Sequence, residues 1–178
     1  MLPVLINLVS QLRVVIFHFW MRGLGLISTV GFPNHAVHVF IDSRFNEVDK
    51  NHLRQGIENW NLYSNLDCTG VSFYGFETMD FSGIPNNQMP PDYTVWVVSE
   101  IPDDNGIATG QRRVGGVPPN QRVVAQKIEI NPTKLNLPQY AWFSFYSSHE
   151  IGHSFALDDH PTGPNSVMGG AHNDAAWN

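Results

Sequence analysis

The chain has 178 residues, of which 16 are acidic, 10 are basic and 42% are hydrophobic, and its formal net charge is −6. That length suits one domain with a real core, and the hydrophobic content excludes a disordered chain. Scattered Lys and Arg argue against a nucleic-acid partner, because phosphate binding needs clustered basic side chains. Cys68 is the single cysteine, which excludes an internal disulfide and every multi-cysteine metal site. A bound metal would therefore need His, Asp and Glu ligands.

Residues 1–34 form an N-terminal apolar segment that differs from the rest of the chain. Its apolar run over 2–20 is interrupted by Asn7, Gln11, Arg13 and His18. An Arg at the centre costs about 2.5–3.5 kcal/mol on insertion scales, so a spanning helix would be poor, and no positive region precedes the run as in a signal peptide. Two interpretations stay open: a leader or anchor, and an appended apolar helix. We expect a secreted or membrane-anchored protein rather than a cytoplasmic one, with membrane contact only if the segment is an anchor.

Residues 35–178 carry the pattern of one domain that mixes α and β structure. Alternating β-branched residues predict strands at 35–42, 71–76, 93–98, 107–109 and 123–131, of which 107–109 is short and weak. The strand at 93–98 is apolar on both faces, which is typical of a central strand covered on both sides. In the last strand, Lys127 and Glu129 point away from Ile128 and Ile130. Residues 82–91 are a turn-rich loop.

Two helices are predicted in the same domain. Leu53, Ile57 and Trp60 stand at i, i+4 and i+7 and predict one apolar helix face over 46–61. Pro138 occupies the first position of a long second helix, which is predicted to run through the histidines of residues 149–153 to about residue 157.

The second helix contains the H-E-x-x-H motif His149-Glu150-Ile151-Gly152-His153. Histidines at i and i+4 point the same way, a little over 5 Å apart, so both can reach one zinc ion. Glu150 follows directly and can take a proton from a water at the open coordination position. The alternative is a buried helix whose histidines make only core hydrogen bonds, although two His and a Glu are costly to bury without a metal.

The residues after the motif bear on the third zinc ligand. Gluzincins use a later Glu, and no Glu follows Glu150 in this chain, which excludes that family. The pattern His149-Glu-x-x-His153-x-x-Ala-x-x-Asp159 with a downstream Ser-Val-Met168 resembles the metzincin clan of zinc endopeptidases. The form with Asp as third ligand is similar to the snapalysin-like branch. The resemblance covers residues 35–178 in element order, but it is specific in sequence only over the last thirty residues or so.

The resemblance implies a fold and a set of roles. The fold would be a metzincin-like α+β zincin: a twisted mixed sheet of about five strands, a backing helix and a central active-site helix. His149, His153 and Asp159 would hold one catalytic Zn²⁺, with Glu150 as general base and acid. His160 stays open as the third ligand, as do water and His172. Met168 would form the Met-turn beneath the histidines.

The resemblance also implies an edge strand that pairs with substrate, here Gly106, Ile107, Ala108 and Thr109. Two positions depart from the clan. Ala156 stands where the family has Gly, and Gly170 stands where some relatives, but not snapalysin-like or matrixin-like enzymes, have a Tyr near the metal. A non-Gly residue at positive φ costs roughly 1–2 kcal/mol, which the turn could tolerate.

These features predict a single-domain zinc endopeptidase that acts on proteins or peptides, does not bind nucleic acid, and is a monomer. Two alternatives belong to other classes. The first is a catalytically silent binding module that keeps the zincin fold. The second is a small membrane-anchored protein in which the N-terminal helix carries the function. Zinc content and chelator-sensitive proteolysis would separate the three.

Overall fold

The computed structural model describes residues 31–32, 35–66, 70–100, 107–117, 121–135 and 143–155. Within these ranges the chain forms a five-stranded mixed sheet with few helices, which agrees with the expected α+β class. In chain order the elements are β1 (Ala36–Asp42), α1 (Glu47–Leu66), β2 (Ser72–Met79), β3 (Thr94–Ser99), β4 (Ala108–Gly115), β5 (Arg122–Ile130), α2 (Pro132–Leu135) and α3 (Phe143–Ser154).

The sheet has the strand order β2-β1-β3-β5-β4. The first four of these strands are mutually parallel, whereas β4 runs antiparallel to β5 at the edge of the sheet. The predicted strand at 107–109 was too short, because β4 continues to Gly115. Beyond Thr109 the sequence is Gly-Gln-Arg-Arg-Val-Gly. An edge strand exposes many of its side chains, so this stretch lacks the apolar alternation on which the prediction relied.

The main core lies between the sheet and the helices α1 and α3. Leu53, Ile57 and Trp60 are all buried there, as the helical spacing predicted. Asn46 caps the start of α1: its Oδ1 accepts from the Asp49 backbone N–H at 2.9 Å, and its amide donates to the Asp49 carboxylate at 2.6 Å. This reciprocal cap satisfies a backbone donor that would otherwise have no helical partner.

The opposite face of the sheet is covered as well. Trp96 and Val98 of β3 pack with Phe81 in a second apolar cluster, which confirms that β3 is a central strand buried on both sides. Lys127 faces this side, as predicted, but it is buried rather than solvated. Its Nζ donates to the Asn86 carbonyl at 2.6 Å and lies 2.5 Å from a carboxylate oxygen of Glu129. The loop that contains Asn86 is therefore anchored to β5 by a buried ammonium group.

The N-terminal segment defined in the sequence as residues 1–34 is described only at residues 31 and 32. Phe32 is 4% exposed and belongs to the main core. Its backbone N–H donates to the carbonyl of Ser154 at 3.0 Å. Phe32, in the described part of this segment, therefore contacts the end of α3. No helix within the described ranges is long and apolar enough to cross a membrane.

Candidate metal and catalytic site

The helix that carries the H-E-x-x-H motif is α3, which is described over Phe143–Ser154. Pro138, the predicted first residue of this helix, lies outside the described residues. The predicted end near residue 157 was too late, because the helix stops at Ser154 and Phe155 forms a turn. Tyr146 and Ile151 are buried and direct one face of the helix into the main core.

Helix α3 is held against α1 by close polar contacts. Gly56 of α1 faces α3, and a Cβ at this position would overlap the carbonyl oxygen of Ser144 and the hydroxyl of Ser147. The Ser148 hydroxyl donates to the Gly56 carbonyl at 2.6 Å, and Trp60 Nε1 donates to the Ser148 carbonyl at 2.9 Å. A glycine is thus required where the two helix backbones approach each other, and the contact fixes the position of α3.

The C-terminal end of α3 is satisfied by groups from three parts of the chain. The Phe155 N–H donates to the Gly152 carbonyl, an Arg112 guanidinium nitrogen donates to the His153 carbonyl, and the Phe32 N–H donates to the Ser154 carbonyl, each at 3.0 Å. These are carbonyls that a helix end leaves without intrahelical partners. Two of the last carbonyls of the helix are therefore satisfied by Phe32 and Arg112, which are distant in sequence.

The two motif histidines lie one helical turn apart, with ring centroids separated by 5.1 Å and ring planes at 87°. Both rings are partly exposed. Glu150 is buried, and its Oε2 lies 4.0 Å from Nε2 of His153. One buried carboxylate and one imidazole nitrogen are therefore close together on this helix.

The Glu150 side chain is directed at the edge strand. A Cβ on Gly110 of β4 would overlap Oε2 of Glu150 and would lie 3.3 Å from Nε2 of Gln126. Gln126 on β5 donates from this Nε2 to the backbone carbonyl of Glu150. Because Gly110 has no side chain, the carboxylate of Glu150 can occupy the space beside it. Gln126 contacts the backbone carbonyl of the same glutamate.

The distance between the histidines fits a shared zinc ion. Two imidazoles bound to zinc at about 2.0–2.1 Å with a tetrahedral angle place their ring centroids roughly 5.2 Å apart. The observed separation of 5.1 Å is close to that value. Neutral imidazole nitrogen is also a common zinc ligand. His149 and His153 therefore have the chemistry and spacing of two ligands of one zinc ion.

The remaining predicted site residues are only partly described. Asp159, its alternatives His160 and His172, and the Met-turn residue Met168 lie outside the described residues, and so does Gly106. The described part of the chain assembles no group of three or more His, Cys, Asp or Glu able to hold a metal. Of the predicted edge residues, Ile107 directly precedes β4, and Ala108 and Thr109 begin it.

Sequence reasoning missed the residues that surround Glu150. Gln126 shares an alternating row with Ile128 and Ile130, where an apolar residue is expected, so a break in that pattern was the available signal. Gly110 within a predicted strand also signals a close approach by another group. Arg112 carried no local signal, because its contact with α3 depends on the folded chain.

Comparison with known proteins gives no relatives: no family model matches the chain, and neither curated proteins nor solved structures give a significant match. The function therefore has to be inferred from the geometry of the site.

Proposed function

We propose that this chain is a zinc-dependent endopeptidase of the metzincin type, and that Glu150 is its general base. The observation that carries the proposal is the placement of the Glu150 carboxylate. It is buried, it lies 4.0 Å from a motif histidine, and it contacts the backbone of an edge strand at Gly110. A carboxylate beside a metal-binding group and beside a strand edge is where peptide hydrolysis requires a base.

The edge strand supplies a row of backbone groups for an extended substrate. The Asn131 N–H donates to the Ile107 carbonyl at 2.8 Å, so the backbone carbonyl of Ile107 points toward the β5 side. In an antiparallel ladder the direction alternates, which turns the N–H and C=O of Ala108 and Gly110 outward. No described strand pairs with the outer side of β4. A peptide could therefore add as a further strand, with its backbone next to Glu150.

The order of the elements gives further support. The chain has a strand, a helix, three strands, a fifth strand, the short helix α2 and then the motif helix. Apart from α2, this is the order that the metzincin resemblance implies. The antiparallel edge strand directly precedes β5 and packs on the motif helix. In this reading Asp159 or His160 completes the ligand set, and Met168 underlies it.

The zinc ion and the protein chain would contribute different parts of the chemistry. A zinc ion held by His149, His153 and a third ligand would supply a Lewis acid for the scissile carbonyl and a water made acidic enough to attack near neutral pH. Glu150 takes the proton of the attacking water and then delivers it to the leaving amine. Burial of Glu150 against Gly110 restricts its motion, so the same carboxylate stays in reach of both partners.

The test is metal analysis combined with proteolysis of an unstructured protein such as casein. We expect about one zinc per chain and cleavage that a chelator blocks. Glu150→Gln should retain zinc and lose at least about 100-fold in activity, because general-base catalysis contributes about 10²–10⁴. Glu58→Gln, a substitution of the same kind at an exposed position of α1, should be unaffected. Full activity in Glu150→Gln would refute this mechanism.

A second candidate is a catalytically silent binding module with the same fold. Ala156 in place of the family's Gly is the observation in its favour. Such a module would bind zinc stoichiometrically and cleave no substrate, so the same two measurements separate it from the peptidase. Secretion or membrane anchoring and a monomeric state remain part of the proposal, and both can be checked by fractionation and light scattering.

A further inference from the structure

We infer that Gln126 is a positioning residue for Glu150, and this inference rests on the proposed function of Glu150 as the base. Gln126 lies on β5, is fully buried, and donates from its amide nitrogen to the carbonyl of Glu150. It is the sheet residue that holds the helix backbone at the catalytic position. Gln126 is not itself a candidate zinc ligand, because a side-chain amide is not among the usual ligands of zinc.

The orientation of the Gln126 amide is set by its partner. A backbone carbonyl only accepts, so the amide nitrogen must face Glu150. Among the described residues, Oε1 of Gln126 is then buried without a hydrogen-bond partner. A buried acceptor without a partner lowers the stability of the folded state, and such violations in native proteins concentrate where function requires them. If Gln126 served only to fill space in the core, an apolar side chain would do so without burying polar atoms.

Two donors from the sheet hold successive turns of α3. Gln126 and Arg112 are cross-strand neighbours on β5 and β4. Gln126 donates to the carbonyl of Glu150, and Arg112 donates to the carbonyl of His153. The Gln126 contact is the buried one, whereas Arg112 is exposed. Gln126 therefore sets how closely Glu150 approaches Gly110, while Arg112 acts at the end of the helix.

The position of Glu150 depends on this contact because the space around the carboxylate is narrow. Gly110 has no side chain, and even a Cβ at that position would overlap Oε2 of Glu150. A small displacement of α3 would move the carboxylate out of this gap. Since misplacement by about 1 Å can cost 10²-fold in rate, loss of the Gln126 contact should lower kcat and leave substrate binding nearly unchanged.

The central variant is Gln126→Met, which keeps the length of the side chain and removes both amide atoms. We expect kcat to fall by about 10-fold, KM to stay within about twofold, and zinc content to stay the same. The melting temperature should be unchanged or higher, because the unpartnered Oε1 is also removed. Gln126→Leu, which also removes both amide atoms, should lower kcat as well. Gln55→Met, the same change at an exposed position of α1, is the control.

A purely structural role would give another pattern. In that case Gln126→Met would lower the melting temperature and leave kcat per folded molecule unchanged, and this result would overturn the inference. Equal kcat in Gln126→Met and in the unaltered chain would overturn it at any melting temperature. If Gln126→Met does not fold, kcat of Gln126→Leu decides by the same criterion.

A measurement that needs neither zinc nor substrate tests this inference separately from the proposed function. In zinc-free protein labelled with ¹³C and ¹⁵N, the side-chain amide protons of Gln126 should exchange at least about 100-fold more slowly than those of the exposed Gln55, because the Gln126 amide is buried and hydrogen-bonded. The carboxyl ¹³C signal of Glu150 should move in Gln126→Met and stay in place in Gln55→Met. An inactive protein with these NMR results refutes the peptidase and keeps the positioning contact. Fast exchange of the Gln126 amide refutes the contact itself.

Discussion

Replacement of Gly56 by Ala tests how α1 and α3 pack against each other. A Cβ at residue 56 would overlap the carbonyl oxygen of Ser144 and the hydroxyl of Ser147, and would lie 2.9 Å from the Ser144 Cα. A serine hydroxyl can rotate away, but a helix backbone cannot. The two helices would therefore have to separate, and the helix that moves is the one that carries His149 and Glu150.

The expected loss of stability follows from three terms. Ala in place of Gly favours the helix by about 1 kcal/mol. Overpacking of a close contact costs about 1–3 kcal/mol. Separation of the helices also weakens two buried bonds, from the Ser148 hydroxyl to the Gly56 carbonyl at 2.6 Å and from Trp60 Nε1 to the Ser148 carbonyl at 2.9 Å, each of which contributes about 1 kcal/mol. If both bonds are lost, the net destabilisation is about 2–4 kcal/mol, or roughly 4–16 °C in melting temperature for a chain of this size.

The assay is thermal unfolding followed by circular dichroism, together with zinc titration of the folded protein. Gly83→Ala is the matched control, because a Cβ at that position meets nothing within 4 Å, and its melting temperature should change by less than about 2 °C. Gly56→Ala should also bind zinc more weakly. A Gly56→Ala protein as stable as the unaltered chain would show that the two helices are not in the close contact described above.

Three further predictions concern the edge strand, the third ligand and an exposed carboxylate. Ala108→Pro should lower kcat/KM and leave zinc content and melting temperature nearly unchanged, because the lost N–H points away from β5; a large loss of stability would place that N–H inside the sheet. Asp159→Ala should lose most of the zinc while His160→Ala keeps it, and the reverse order in metal analysis would make His160 the ligand. Backbone donation from Ser82 lowers the pKa of Asp80, so ionised Asp80 stabilises the fold above its unfolded pKa of about 3.9. The stability difference between Asp80→Asn and the unaltered chain, measured by urea unfolding, should therefore shrink as pH falls below about 4, and a difference independent of pH would exclude this effect.

The parts of the fold that sequence predicts well are those with strong local periodicity. The spacing of Leu53, Ile57 and Trp60 identified α1 and its buried face. The continuous apolar run around Trp96 identified a strand covered on both sides. In both cases the information lies within one turn or one strand, so a short window of sequence contains it.

The features that sequence predicts poorly depend on contacts between distant parts of the chain. The last carbonyls of helix α3 accept hydrogen bonds from Phe32 and Arg112, and neither residue is near the helix in sequence. Likewise, the sequence marks Gln126 only as a polar residue in an apolar row, and its contact with Glu150 depends on the folded chain. The motif gave the histidines and the glutamate, but not the groups that hold them in place.

The outer side of β4, with which no described strand pairs, also bears on how the protein behaves at high concentration. A free strand edge accepts any extended chain, including the same strand of a second copy, and is therefore a route to aggregation. Arg112 and Arg113 are adjacent on this strand, so two copies that met edge to edge would bring like charges together. We expect this edge to admit a single neutral or acidic peptide and to resist growth into ordered fibres, with solubility that falls as salt screens the arginines.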